Sequence, residues 1–453
     1  MKILLISVNN ETEPFPVAPI GAACISRVLK NKGHEVNLLD LCFVKDDFKA
    51  IDDSLKKFMP DVIGISIRNI DNLTYQKSTF YMPRIRSLVD FVKDKAAVPV
   101  VAGGSGFSIF PEEILDYLKL DTGIIGEGET AFSRLVDSFG NSCDFYDIPN
   151  LCYIKDGEYR ANEVQFSQMS CMPDRSQLNN GTYLKLGGMA NIQSKRGCPF
   201  TCMYCTYPGI DGSSMRLREP DAIVEELNEM ENSYGIDYAF FVDDIFNFPH
   251  EHAALICEKI IRKNLKISWT CFATPKGMSP ELAELMKNAG CRGVEFGSDA
   301  GSGETLKELG KQFDPDDIVY AAECCKNVDL PNAHYLILGG PGEDISTLNE
   351  TLNIFDRISP TAVIALIGLR IYAKTLLHKR AIEDNVIEQD RNLLEPAFYL
   401  SPGLDVNTMF RKIAEYAGQR RNWIVPGLNI RCDTNTLGLL RELGKRGPLW
   451  QML

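Results

Sequence analysis

Two series of short apolar runs, each run followed by a segment of helical spacing, restrict the folds open to this chain more than any other feature. KILLISV, EVNLLDL, DVIGISI, VPVVAGG and TGIIGEG form the first series, with helical stretches such as Pro19 to Lys32, Tyr81 to Lys93 and Pro111 to Leu118 among them. The second begins near Met189 with ANIQSKRG, YAFFVDDIF, ISWTCFAT, GVEFGSDA, AHYLILGG and AVIALIGLRIY. Helical segments separate these runs at Pro220 to Ser233, His250 to Lys263, Pro280 to Ala289, Pro315 to Asn327 and Asp344 to Ile358. Alternation of this kind implies parallel strands covered by helices. The fold class is therefore α/β: a doubly wound, Rossmann-like parallel sheet over residues 1–140, then a partial or full (β/α) barrel over residues 189–378. The stretch 141–188 is polar and Pro-containing apart from the strand-like LCYIKDG, and reads as a linker that also packs on a neighbour. Residues 379–453 fit neither series and read as a mostly helical cap, with Trp423 and Trp450 as packing residues.

Composition excludes several classes. With 453 residues, 45% hydrophobic and 24% charged, the chain suits two or three globular domains rather than a disordered or fibrous protein. Its net charge of −13 gives no general attraction to nucleic acid or anionic lipid. No apolar run reaches the ~18–20 residues of a membrane span. MKILLISVNN is too short for a signal peptide, lacks a small-residue cleavage site and reads as a first strand, so the expected compartment is the cytoplasm. Fourteen cysteines are many for such a chain. Most lie scattered in apolar runs, as Cys257, Cys271 and Cys291 do, and read as buried small hydrophobes.

Three cysteines differ. Residues 195–208 read K-R-G-C-P-F-T-C-M-Y-C-T-Y-P, placing Cys198, Cys202 and Cys205 in a Cys-x3-Cys-x2-Cys loop directly after the first barrel strand. Three thiolates can bind three corners of a 4Fe–4S cluster and leave the fourth iron open. Structural zinc normally has four closed ligands, and the nearest further cysteine, Cys171, is 27 residues upstream. Zinc or incidental thiols remain the alternative. This motif and its position resemble the radical SAM superfamily, in which S-adenosylmethionine chelates the open iron. The resemblance implies SAM contacts at Tyr204, at Asp243 beside Asp244, at Glu295 and Ser298 on the fourth strand, and at Leu338 in the LGGPGE segment. Arg216 and Arg218 are placed to pair with the SAM carboxylate, since guanidinium matches carboxylate geometry. For each of these the plainer reading is a cap, turn or surface role.

The first series resembles the cobalamin-binding domain that precedes many radical SAM barrels. The pattern comprises a Pro-containing first loop, G-H-E-V after a helix, D-V-I-G-I-S, V-V-A-G-G and G-E-G-E. The resemblance implies a tail groove lined by Ser66, Gly103, Gly104, Ser105, Gly126, Glu127 and Gly128, with Arg68, Asn69 and Tyr75 facing the lower side of cobalt. One departure is clear: Asp-x-His-x-x-Gly is absent, and His34, after Gly33, does not suit a cobalt ligand. A nucleotide or flavin on the same sheet is the alternative, weakened by the lack of G-x-G-x-x-G after the first strand.

Together the resemblances imply a C-methyltransferase with three cofactors: a 4Fe–4S cluster, S-adenosylmethionine and methylcobalamin without a His ligand. A 5′-deoxyadenosyl radical would remove a hydrogen atom and methylcobalamin would supply the methyl group. A donor such as flavodoxin or ferredoxin would supply electrons. The implied substrate is a peptide or protein residue, a lipid precursor or a small metabolite, with Arg370, Tyr372 and His378 as candidate contacts. Tyr207, with Tyr204, is expected to pack over the cluster. The same cofactors would serve a non-methylating rearrangement, ring contraction or cyclisation. A non-enzymatic metal or iron–sulfur sensor is the rival of another class, and the acidic chain offers it no DNA-binding feature. A methylthiotransferase would usually carry a second cluster motif, and Cys24, Cys42, Cys143 and Cys152 lack the spacing.

Overall fold

The structure, a computed structural model, describes residues 1–141, 143–168, 172–431 and 434–452. Cys171 lies outside them. The chain forms two compact units. The first comprises Met1–Asn72, Thr79–Asn180 and Gly209–Gly212; the second comprises Leu73–Ser78, Gly181–Pro208 and Ser213–Leu453.

In the first unit, β1 (Lys2–Ser7), β2 (Glu35–Asp40), β3 (Val62–Ser66), β4 (Val100–Gly103) and β5 (Thr122–Ile124) are the five expected strands, parallel and ordered β2-β1-β3-β4-β5. The apolar runs are strands buried on both faces: Ile3, Leu4 and Ile6 of β1 are fully covered. Strand order reverses between β1 and β3, the place where doubly wound sheets bind ligands. Register aligns the carboxyl ends, with Ser7 opposite both Asp40 and Ser66, and Ser66 opposite Gly103.

The stretch expected as a linker belongs to this sheet. β6 (Leu151–Lys155) and β7 (Glu158–Ala161) form a hairpin that extends the sheet antiparallel from β5. Pairing there covers a sheet edge that would otherwise stand open. The first unit accordingly runs to Asn180 rather than to residue 140.

The second unit opens with β8 (Ala190–Ile192), followed by a small antiparallel pair, β9 (Lys195–Arg196) and β10 (Arg216–Leu217). The barrel continues with β11 (Tyr238–Phe241), β12 (Ser268–Ala273), β13 (Cys291–Asp299), β14 (Asn332–Leu338) and β15 (Ala362–Ile367). β16 (Leu369–Arg370) and β17 (Phe398–Tyr399) pair with each other, and β18 (Trp423–Ile424) adds a seventh parallel strand beside β15. The order β18-β15-β14-β13-β12-β11-β8 is linear, so the barrel is partial. The segment expected as a separate cap therefore contributes a barrel strand.

Two apolar layers sit on the barrel sheet. Its helix-covered face buries Ile192, Phe241, Trp269, Val294 and Phe296 together with helix residues such as Ile256 and Met286. The other face carries Ala333, Ala362 and Ile364 packed around Trp450, from the short turn Leu449–Met452. Gly293 of β13 makes room: a Cβ there would lie 2.7 Å from the Trp450 ring.

Candidate cluster and cofactor sites

The three-cysteine loop leaves the end of β8 and is fixed on several sides. Asp243, just beyond β11 and almost fully buried, accepts from the Ser194 amide at 2.6 Å, the Lys195 amide at 3.1 Å and the Ser194 hydroxyl. The buried Lys195 ammonium donates to the carbonyls of Phe246 (2.7 Å) and Phe248 (2.9 Å). The Met203 amide donates to the Leu309 carbonyl at 3.1 Å, and the Leu377 amide to the Met203 carbonyl at 2.8 Å. Gly310 allows this approach, because its φ is +73° and a Cβ would lie 2.9 Å from the Thr201 carbonyl oxygen.

Cys198 is buried, while Cys202 and Cys205 are partly so. Burial pushes the Cys198 thiol up to about 11 and the Cys205 thiol up to about 12, and raises Cys202. The neighbouring thiols and Asp244 add to the rise at Cys198 and Cys205. Three thiolates so enclosed need a cationic group to be stable, as an iron–sulfur cluster supplies. Among the described residues no three His, Cys, Asp or Glu side chains gather as a single metal ion requires. Thiolates that each bind a separate iron of a cluster need not converge, so the loop fits that group.

Beside Cys202 lies an arrangement that sequence reasoning missed. The strand register slips between Gly297 and Asp299, and Asp299 has a φ of +62°. Bulges of this kind redirect side chains. The Asp299 carboxylate accepts from the Tyr204 hydroxyl and pairs with Lys311 at 2.5 Å, both charged side chains being under 10% exposed. Lys311 also donates to the Tyr204 oxygen and to the Gly297 carbonyl, each at 3.3 Å. The one sequence signal was Gly310, whose small size permits Lys311 to follow the cysteine loop closely.

Of the residues expected to touch SAM, Tyr204 stands in the cysteine loop, bonded to Asp299, and Arg216 lies on β10, opposite Arg196. The rest are placed as follows. Asp243 holds the loop, as described. Arg218 forms a buried ion pair with Glu226 at 2.7 Å and donates to the Gln193 carbonyl at 2.6 Å. Glu295 accepts from the Trp450 indole at 2.9 Å, and burial pushes its carboxyl up to about 7. Ser298 bonds the buried His334 Nδ1 at 2.7 Å, and Leu338 is fully buried. Strand-end polar residues were singled out by position along the chain. Alternation along the strand then sends each to one sheet face or the other, which position alone does not reveal.

In the first unit, Ser66 and Gly103 are partly exposed cross-strand neighbours at the carboxyl ends of β3 and β4. A Cβ at Gly103 would meet only the Ile124 carbonyl, at 3.7 Å, so this part of the crest is flat by sequence. Gly104 has a different cause: with φ +106°, a Cβ would lie 2.5 Å from the Ile67 carbonyl. The Ser105 hydroxyl donates to the Arg68 carbonyl at 3.2 Å, leaving the Arg68 side chain exposed and Asn69 half-buried. The Gly126 amide donates to the Ser108 hydroxyl oxygen at 2.8 Å, and Glu127 accepts from the Ser167 amide at 3.0 Å. Gly128 abuts Ile25, where a Cβ would lie 2.8 Å from that side chain. Tyr75 belongs to the second unit, with its ring packed on Phe398 and Phe410 at 5.7 and 6.3 Å. His34 bonds Asp137 at 3.2 Å, at the amino end of β2. The small crest residues Ser66 and Gly103 fit a broad cofactor lying over the sheet.

The expected substrate residues have structural partners. The buried Arg370 guanidinium donates to the carbonyls of Ile371 (2.6 Å) and Leu393 (2.8 Å) and stacks over Tyr372 at 4.9 Å. The His378 amide caps on the Thr375 hydroxyl at 3.2 Å. Tyr207, in the cysteine-loop region, is 48% exposed.

Comparison with known proteins assigns both units. Residues 6–136 match the B12 binding domain and residues 192–355 match the Radical SAM superfamily. Fold and thiol loop together thus define a radical SAM enzyme with an N-terminal cobalamin domain. The tryptophan 2-C-methyltransferase of Streptomyces laurentii is 24% identical over 433 residues, 80% of this chain and 71% of that protein. An uncharacterized methyltransferase of Pyrococcus horikoshii is 26% identical over 403 residues, 85% of this chain and 84% of that one. The radical S-adenosylmethionine methyltransferase TsrM of Kitasatospora setae, solved with cobalamin and a [4Fe-4S] cluster, superposes with a TM-score of 0.88 at 22% identity, covering 99% of this chain and 96% of its own. That likeness fixes the fold. The chain thus carries a B12 binding domain followed by a Radical SAM domain, and the proteins it is similar to include methyltransferases.

Proposed function

We propose that this enzyme methylates a carbon atom of a small molecule. The observation that carries the reading is the loop of three thiols, one buried and two partly so, that follows β8, in one chain with a sheet of the B12-binding type. When bound, the cluster and SAM supply one-electron cleavage and hydrogen abstraction, and cobalamin supplies the methyl group.

The protein's own part is holding and shielding. Cys198, Cys202 and Cys205 ligate the cluster. Asp243 and Lys195 lock the start of their loop, so the thiols are placed before metal arrives. Arg216, on the strand that pairs with the start of the cysteine loop, and Asp244, next to the loop-holding Asp243, are our candidates to orient SAM. Ser66, Gly103 and Gly126 accept the cobalamin tail, and Arg68, exposed on the same crest, is our candidate for the lower face of cobalt. We expect no His ligand there; His34, the single histidine before residue 250, bonds Asp137 at 3.2 Å. A small-molecule substrate is favoured by the named activity of the Streptomyces relative. A reduced flavodoxin or ferredoxin would supply electrons in the cytoplasm.

Anaerobic reconstitution with iron, sulfide and cobalamin, then reductant and SAM, tests the reading. About four irons per chain, a retained cobalamin spectrum and 5′-deoxyadenosine, all cluster-dependent signals being lost in Cys202→Ala, are expected. A cluster without retained cobalamin would overturn methylcobalamin chemistry, and no cluster would overturn the whole reading.

A further inference from the structure

We propose that Arg380 is a positioning residue for the cysteine loop: it ties together the two elements that grip Met203, between Cys202 and Cys205. The inference rests on the cluster reading above. Met203 is held through its backbone on both sides. Its amide donates at 3.1 Å to the carbonyl of Leu309, the residue that ends the helix Gly303–Glu308. Its carbonyl accepts at 2.8 Å from the Leu377 amide, in the first turn of the helix Leu376–Glu383. First-turn amides have no partner within their own helix, so that bond costs the helix nothing. Leu309 and Leu377 are both fully buried. The stretch between the two cysteines is therefore held as firmly as these two helices are held to each other.

Arg380 makes that link. It stands three residues after Leu377, a spacing that places two side chains as neighbours on a helix. Its Nη1 donates at 3.2 Å to Glu308, the last residue of the other helix, and its Nε donates at 2.7 Å to Asp384. Both carboxylates are themselves fixed. The Asp384 oxygen that accepts from Arg380 also accepts at 2.5 Å from the hydroxyl of Tyr399, a fully buried residue of β17. Glu308 is packed by Gly342, whose φ is +73° and where a Cβ would lie 2.8 Å from the Glu308 Cγ. A guanidinium offers donors in one rigid plane and can serve two carboxylates at once, which an ammonium does less well. The Arg380 and Glu308 side chains are 36% and 37% exposed, so their pairing adds little to the stability of the whole unit. Its effect is local: it opposes the parting of the two helices, and with it the opening of the loop. Iron held by a loop is lost to a chelator through such local opening.

The rate of iron release to a chelator from the reconstituted chain, read by absorbance beside thermal melting of the metal-free chain, tests this without recourse to turnover. Arg380→Met, and Glu308→Gln, which keeps the packing on Gly342, should each release iron faster, by up to about fivefold, or ~1 kcal/mol at 25 °C. The double variant should release it no faster than either single one, because both remove the same link. Arg380→Lys should fall between Arg380→Met and the wild type. Melting of the metal-free chain should not change. Salt supplies a further signature: screening weakens the link only where it exists, so the gap between wild type and variants should close as ionic strength rises. Equal release rates, additive effects, or a gap that salt leaves untouched overturn the proposal while leaving the cluster reading intact. So does faster release that comes only with a lower melting temperature, since that is general loss of stability. If Arg380→Met fails to fold, Glu308→Gln decides alone, and unchanged release overturns the inference. A wild-type chain that takes up no iron fails the earlier reading instead.

Discussion

Glu295 shows how a single buried acid imposes a pH dependence on the fold. Its carboxyl lies in the barrel with the Trp450 indole as donor, and burial raises it from 4.5 to about 7. Below about pH 4.5 the group is protonated in folded and unfolded chains alike and costs nothing. Between 4.5 and about 7 the unfolded chain releases the proton while the folded chain keeps it, so stability falls as pH rises, by at most about 3 kcal/mol. Glu343, raised to about 7 by burial, acts in the same direction. Glu295→Gln keeps an acceptor for Trp450. Its melting temperature should match the wild type near pH 4.5 and exceed it above pH 7; a constant offset would refute the assignment. The Arg218–Glu226 pair makes a second case. Both side chains are at most 5% exposed. Glu226→Ala strands a buried cation, which costs about 3–5 kcal/mol. Arg218→Met combined with Glu226→Leu should recover much of that in urea unfolding. If Glu226→Ala costs under about 1 kcal/mol, the guanidinium is free to leave, and its expected role at SAM regains force.

At the scale of elements, the loop and its neighbours are coupled through close backbone contacts. Gly310→Ala puts a methyl group 2.9 Å from the Thr201 carbonyl at a φ of +73°. The cysteine loop must move, and we expect reduced iron per chain after reconstitution with cobalamin retention unchanged. Unaltered iron would show that the loop adapts. Most elements were legible because their apolar periods are long: the helices Pro111–Leu118, His250–Lys263 and Pro315–Asn327 run as their spacing indicates. The hairpin β6–β7 was missed although it carries a strong local signal. Asp156 and Gly157 both have positive φ and join Lys155 to Glu158 in the two-residue turn typical of Asp-Gly. Its second strand, Glu-Tyr-Arg-Ala, is mostly exposed, so it shows no apolar run. The site was legible only where its residues are neighbours in sequence. The three cysteines share one loop. Asp299 and Lys311 come from beyond β12, more than ninety residues on, and are joined to Tyr204 by a bulge and a turn that no spacing rule announces.

Across the whole molecule, the second unit depends on residues from its far end. Trp450 fills the barrel face around Ala333, Ala362 and Ile364, and Gln451 donates to the Arg292 carbonyl at 2.7 Å. Deleting residues 447–453 would expose that layer and remove the donor to Glu295. We expect a loss of several kcal/mol from the Trp450 side chain alone, about 3–5 kcal/mol by analogy with large-to-small core changes. Chemical denaturation of full-length and shortened chains measures it, and equal midpoints would contradict the packing described. The first sheet needs nothing beyond residue 161 to complete its strands. During synthesis it has its whole sheet as soon as that point leaves the ribosome, because domains fold as units from the amino end. The barrel must wait for residue 450. Throughout that interval the emerging Cys198, Cys202 and Cys205 belong to an unfinished barrel. Iron loaded then would meet an open chain, whereas iron loaded after release meets a closed one.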